Sequence, residues 1–168
     1  ESSAASDVYK RQDNTIAWYE NNGAVDPTWT ASDIATNADF ARSVFAADMD
    51  GDGDMDIISA SLNDNTIAWY ENNGAADPSF TASDIATSAN GAFSVFAADM
   101  DGDGDMDIVS ASVDDDTIAW YENNGAADPS WTAADIETSA DGARSVFAAD
   151  MDGDGDMDIV SASMSDNT

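Results

Sequence analysis

The chain has 168 residues, of which 43% are hydrophobic and 9% aromatic, enough apolar side chain for one ordinary domain and too much for a disordered acidic tail. With 35 Asp plus Glu against 4 Lys plus Arg, its net charge of −31 disfavours nucleic acid, anionic membrane surfaces and phosphorylated substrates, and makes cations the natural partners. Cys and His are both absent, which excludes disulfides and thiolate metal sites and removes the commonest general base.

Residues 1–12, ESSAASDVYKRQ, come first and stand outside the pattern that follows. The hexapeptide Asp7 to Gln12 is what GAT-GTG-TAT-AAG-AGA-CAG encodes, a string resembling a transposon end used in preparing sequencing libraries. The segment is therefore read as an artefact or a linker and set aside from the fold. From Asp13 onward the chain repeats. TIAWYENNG begins at Thr15, Thr66 and Thr117, and DMDGDGDMDI begins at Asp48, Asp99 and Asp150, each in steps of 51 residues. Units of 13–63, 64–114 and 115–165 follow, with 166–168 opening a fourth copy; the second and third differ at only eight positions. A period of this length indicates a propeller, a solenoid or an array.

Within one period four strands are predicted: SVFAADM from Ser43, MDIISAS from Met55, NTIAWYEN from Asn65 and FTASDIAT from Phe80. An Asp/Gly loop separates the first two, LND the next two, and NGAADPS the last two, whose Asn-Gly and Asp-Pro steps break regular structure. The result is an all-β protein of four-stranded antiparallel meanders, repeated as propeller-like blades in an incomplete propeller or open array. Ile67 and Trp69 face one way while Ala68 and Tyr70 face the other, so both faces of the strand are apolar and each sheet should be covered on both sides. Trp18, Trp69 and Trp120 with Tyr19, Tyr70 and Tyr121 are thus expected between blades, whereas Trp29, Phe80 and Trp131, just after the Pro turn, are expected partly exposed. Arg42, Phe93 and Arg144 occupy equivalent places, which suggests a surface position.

The Asp/Gly loop carries the chemistry. Numbered from Asp48, it reads D-x-D-x-D-G-x-x-D, with Asp48, Asp50, Asp52 and Asp56 at places one, three, five and nine and Gly53 at six. Calcium takes six to eight oxygens at roughly 2.3 to 2.6 Å, and alternate side chains on a curled loop can converge to supply them. Asp54 is expected to give its backbone carbonyl and Asp56 the closing carboxylate. The loop starts like an EF-hand but has Ser59 at place twelve, where a bidentate Glu belongs, and no helices flank it. Magnesium, which prefers to keep its waters, fits less well.

FAADMDGDGDMDIVSAS together with DNTIAWYENNG resembles the FG-GAP/VCBS repeat family, found in bacterial surface proteins and integrin alpha chains. The resemblance covers residues 13–168. It implies one β-propeller blade per repeat, a calcium ion between two strands of each blade, about three in all, and an extracellular or cell-surface setting. The matching positions are Asp48, Asp50, Asp52, Asp54 and Asp56; Asp99, Asp101, Asp103, Asp105 and Asp107; and Asp150, Asp152, Asp154, Asp156 and Asp158. The Phe-Gly and Gly-Ala-Pro steps that name the family are absent in literal form, so integrin binding surfaces do not carry over.

A catalytic constellation is ordinarily unique, whereas these features come in threes, and the aspartates are committed to cation geometry; the chain reads as non-catalytic. No nucleic acid partner and no membrane insertion are expected. The reading is a calcium-stabilised structural or adhesive module of a secreted or cell-surface bacterial protein, with an extracellular glycan or protein as possible ligand. Extracellular calcium modules with Kd of about 0.1 to 1 mM stay loaded outside a cell and empty in cytosol. Closed propellers use four to eight blades, so three repeats suit a piece of a longer protein, several chains completing one ring, or an open array. Head-to-tail contact between copies that does not close would give a filament. An accessory domain of a polysaccharide-degrading enzyme is a third alternative.

Overall fold

The structure, a computed structural model, describes residues 14–165. Residues 1–12, read above as an artefact or linker, and the three-residue start of a fourth copy lie outside them. No helix occurs among the described residues; the chain forms β1 (Ile16–Asn21), β2 (Trp29–Ala35), β3 (Ala41–Ala47), β4 (Asp56–Ser61), β5 (Thr66–Asn72), β6 (Phe80–Ala86), β7 (Ala92–Ala98), β8 (Asp107–Ser112), β9 (Thr117–Asn123), β10 (Trp131–Glu137), β11 (Ala143–Ala149) and β12 (Asp158–Ser163). These make two four-stranded antiparallel sheets, β3-β4-β5-β6 and β7-β8-β9-β10, between two-stranded sheets β1-β2 and β11-β12. The meander expected from the sequence is the sheet observed, and the sheets form an open, propeller-like array of blades. The blade runs from Ala41 to Ala86, out of phase with the windows that start at Asp13, because a period fixes the length of a unit and not its origin.

Apolar residues on both faces of the strands dictate this stacking. On β4, Ile58 is fully buried on the side of the following sheet, in a cluster with Trp69 of its own sheet and Val95, Ile108 and Tyr121 of the next, while Ile57 packs toward Ile16 and Tyr70 on the other side. Three such layers run between the four sheets, the last built from Val109, Ile118 and Val146. Each fully buried Ile contributes on the order of 1.5 to 3 kcal/mol. Trp69, Tyr70 and Tyr121 are buried in these layers as their alternation required, Trp18 and Trp120 are half-buried, and Tyr19, expected with them, is exposed, as is Trp29 at 59%.

The inner strands β3, β7 and β11 lie side by side, β7 against β3 and β4 and β11 against β7 and β8. Phe45, Phe96 and Phe147, one from each, form a ladder with ring centroids 4.6 Å apart at both steps. The amide of Val95 donates to Oγ of Ser43 and that of Val146 to Oγ of Ser94, each at 3.3 Å, joining sheet to sheet. Next to them Arg42 and Arg144 both stand over the Phe93 ring, at 5.0 and 5.1 Å from its centroid, so the Arg/Phe alternation is a cation–π stack.

A second staple joins successive blades. Asn65, in the turn after β4 with φ of 59°, accepts from Ala89 through its carbonyl and from Gly91 through its side chain at 2.9 Å. Asp116 holds Ala140 and Gly142 in the same way.

Candidate metal centre

Each Asp/Gly loop connects the inner strand of a blade to its second strand, and positive φ at Gly51 (77°) and Gly53 (97°) lets it curl. Carboxylates hold the curl by accepting the loop's own amides. Asp48 takes Gly51 N–H on Oδ1 at 2.8 Å and Gly53 N–H on Oδ2 at 3.0 Å, Asp50 takes Asp52 N–H, and Asp52 takes Asp54 N–H. The loops from Asp99 and Asp150 repeat these bonds. An ionised carboxylate offers about four lone-pair sites, so oxygens used this way retain capacity for a cation.

The loops bring together Asp48, Asp50 and Asp52, then Asp99, Asp101 and Asp103, and then Asp150, Asp152 and Asp158, each trio with one carboxylate oxygen per residue within 4.8 Å of the others. Oxygen donors of like charge at this separation suit a hard divalent ion.

The other aspartates of the loops lie outside these trios and have contacts of their own. The Asp54 carboxylate lies against Gly74 and that of Asp105 against Gly125, in the turns after β5 and β9. Asp56 is 1% exposed and uses both oxygens, Oδ2 accepting Met49 N–H at 3.1 Å and Oδ1 accepting Asn72 N–H at 2.7 Å. Asp107 accepts from Met100 and Asn123 in the same way. Asp158 is exposed and accepts Met151 N–H; among the described residues its sheet has two strands, and there the ninth-place carboxylate joins its trio. Asp154 accepts Asp156 N–H at 3.0 Å and neither belongs to the third trio.

Burial pushes the Asp50 carboxyl above its usual value, with the charges of Asp56, Asp52 and Asp48 adding to the effect and the Asp52 amide opposing it. Burial likewise raises Asp56, opposed by the amides of Asn72 and Met49. The Trp69 indole N–H also favours its charged form, although that N–H completes no hydrogen bond of its own. Asp107 is raised by burial against the pull of Asn123, Met100 and Trp120. A loop whose anions are this disfavoured gains from a bound cation.

Sequence reasoning missed Asn72 and Asn123. Their amides fasten the ninth aspartate, and their side chains reach the loop backbone: Asn72 Nδ2 donates to Met55 carbonyl at 3.0 Å, and Asn123 Nδ2 to Met106 carbonyl at 3.1 Å and to Met49 carbonyl of the preceding blade at 2.8 Å. The signal is the invariant ENNG of each copy, whose first Asn closes the predicted strand NTIAWYEN and whose Asn-Gly step marks the turn.

No helix among the described residues is long and apolar enough to cross a membrane. No curated protein matches the chain. The FG-GAP-like repeat matches it three times in tandem, over residues 5–59, 48–110 and 107–161, and each match includes at least one complete Asp/Gly loop or its greater part with the strands beside it. With all but the ends of the sequence matched, a strand meander per period and an acidic loop in every copy, the chain belongs to the FG-GAP-like repeat family, a family of structural repeat modules.

Proposed function

We propose that this chain is a calcium-binding, calcium-stabilised structural and adhesive module of a secreted or cell-surface bacterial protein, without catalytic activity of its own. The observation that carries the reading is the threefold recurrence of an aspartate trio on a pre-curled loop. In each loop the trio would hold one ion, with further oxygens from the loop backbone and water. Because the loop anions are mutually repelling and partly desolvated, ion binding would appear as folding energy. Extracellular calcium concentrations would keep such sites filled, which supports a location outside the cell. Three ions would leave the chain strongly anionic, which discourages non-specific clumping.

The test is thermal unfolding in calcium and in excess EDTA, with a calorimetric calcium titration beside it. The expected result is a marked fall in Tm with chelator and uptake of about one ion per repeat. A melting curve that chelator leaves in place would sink the metal assignment.

A further inference from the structure

The stacked sheets leave an opening between them that their own side chains do not fill. Between the complete sheets β3-β4-β5-β6 and β7-β8-β9-β10, at the level of the Asp/Gly loops, runs a cleft of about 500 Å³. Phe45, Met49 and Met55 line it from the first blade and Met106 from the second, with Asp48 and Asp105 contributed by the two successive loops. It stays open because the inner strands end in alanine. Ala46, Ala47 and Ala97 share its walls, and they are too short to close a gap that Val95 and Ile108 fill elsewhere between the same sheets. Moving every residue on by 51 gives a second cleft of about 490 Å³, lined by Phe96, Met100, Met106 and Met157 with Asp99 and Asp156, so the opening is written into the repeat.

The lining asks for apolar bulk and positive charge together. Three thioethers and a phenyl ring offer a polarizable, adaptable surface to an apolar body, and Met55, 54% exposed, leaves part of that surface facing water. The charges at the cleft are all negative: neither Arg42 nor Arg144, the basic side chains among the described residues, lines it. Asp48 belongs to an aspartate trio, but Asp105 belongs to none, and its carboxylate accepts no hydrogen bond among the described residues. An anion is repelled here, and a neutral apolar guest leaves Asp105 without a partner. An ammonium on an apolar stem meets both demands.

We propose that the cleft between the two complete blades is a binding site for a small organic cation, an ammonium group on an aliphatic or aromatic body. The ammonium pairs with Asp105, and the body lies against Met49, Met55, Met106 and the Phe45 ring. The volume is in the range that small-molecule sites occupy. Because Asp105 stands outside the trios, the site is separate from whatever the trios hold, and it works with calcium present or removed.

The probe is n-hexylammonium, titrated into the 168-residue chain carrying isotope-labelled methionine methyl groups and followed by NMR at physiological ionic strength. The Met55 and Met106 methyl resonances are expected to shift saturably in calcium and in EDTA, while that of Met164, which does not line the cleft, stays in place. Methylammonium has the charge without the body and hexanol the body without the charge, and each should bind about tenfold more weakly or worse. Asp105→Asn removes the charge but no hydrogen bond of the fold, and should weaken hexylammonium about tenfold, toward hexanol. Ala46→Phe, at an exposed alanine of the wall, should abolish the Met55 shift, with an unmoved Met164 methyl reporting that the fold is kept. Shifts that never saturate, or that Met164 shares, would mean only diffuse attraction to a chain of net charge −31 and would overturn the proposal. So would an affinity that Asp105→Asn leaves unchanged, or hexanol binding as tightly as hexylammonium.

Discussion

The backbone N–H of Asn72 reaches Oδ1 of Asp56 at 2.7 Å, tying the end of the aspartate loop to the third strand of its blade. With Met49 N–H on the other oxygen, this carboxylate is a buried joint between the loop, β4 and β5. Asp56→Ala strands the buried Met49 amide and the part-buried Asn72 amide and should cost about 2 to 5 kcal/mol, nearly the same with or without calcium. Urea unfolding in both conditions measures it. A loss confined to the calcium-loaded protein would reassign Asp56 to the ion.

Asp50 should behave in the opposite way. Its carboxyl is raised by burial and by its neighbours' charges, so Asp50→Asn relieves repulsion and leaves the metal-free protein as stable or slightly more so. In calcium the variant should take up about one ion fewer and lose part of the calcium-induced rise in Tm. Calorimetry reads the stoichiometry; an undiminished ion count would remove Asp50 from the site.

Gly91 and Gly142 hold equivalent positions with φ of 69° and 71°, so Ala at either place incurs the left-handed penalty of about 1 to 2 kcal/mol. The surroundings differ. A Cβ at 91 would lie 2.7 Å from the Asp114 carboxylate and 2.8 Å from Val113 Cγ1, whereas at 142 the nearest atom is Ser165 Oγ at 3.4 Å. Gly91→Ala should therefore be the more destabilising of the two in thermal melts, and equal losses would mean that the turn at 91 relaxes freely.

Burial raises the Tyr70 and Tyr121 hydroxyls above their ordinary value. A raised folded pKa contributes stability that is complete below the unfolded pKa of about 10 and is lost as pH rises through the folded value. Alkaline unfolding should thus track ionisation of these tyrosines, and Tyr121→Phe should move its midpoint to higher pH. Far-UV circular dichroism followed alongside tyrosinate absorbance makes the comparison; a midpoint indifferent to the substitution would assign the transition to other groups.

The meander, the loop position and the burial of Trp69 and Tyr70 were legible because alternation and turn chemistry are local, and the 51-residue step repeats the same letters in each copy. What stayed hidden depends on contacts across the sheet. Asp48 and Asp56 look alike in DMDGDGDMDI, and only the arrival of Asn72, sixteen residues downstream of Asp56, separates a loop carboxylate from a buried joint. Arg42 and Arg144 are exposed, as their exchange with Phe93 suggested, but the stack they form with it was hidden, since nothing in a strand's own letters shows that its equivalent 51 residues away will lie alongside it.

The offset between period and blade has a further consequence. The stretch from Asp64 to Asp114 gives β5 and β6 to one sheet and β7 and β8 to the next, so every copy of the repeat bridges two sheets like a shingle across two courses. Recombination between copies at any matching point gains or loses 51 residues and restores the same overlaps on either side. Array length is then free to drift in the gene while every joint in the protein is conserved.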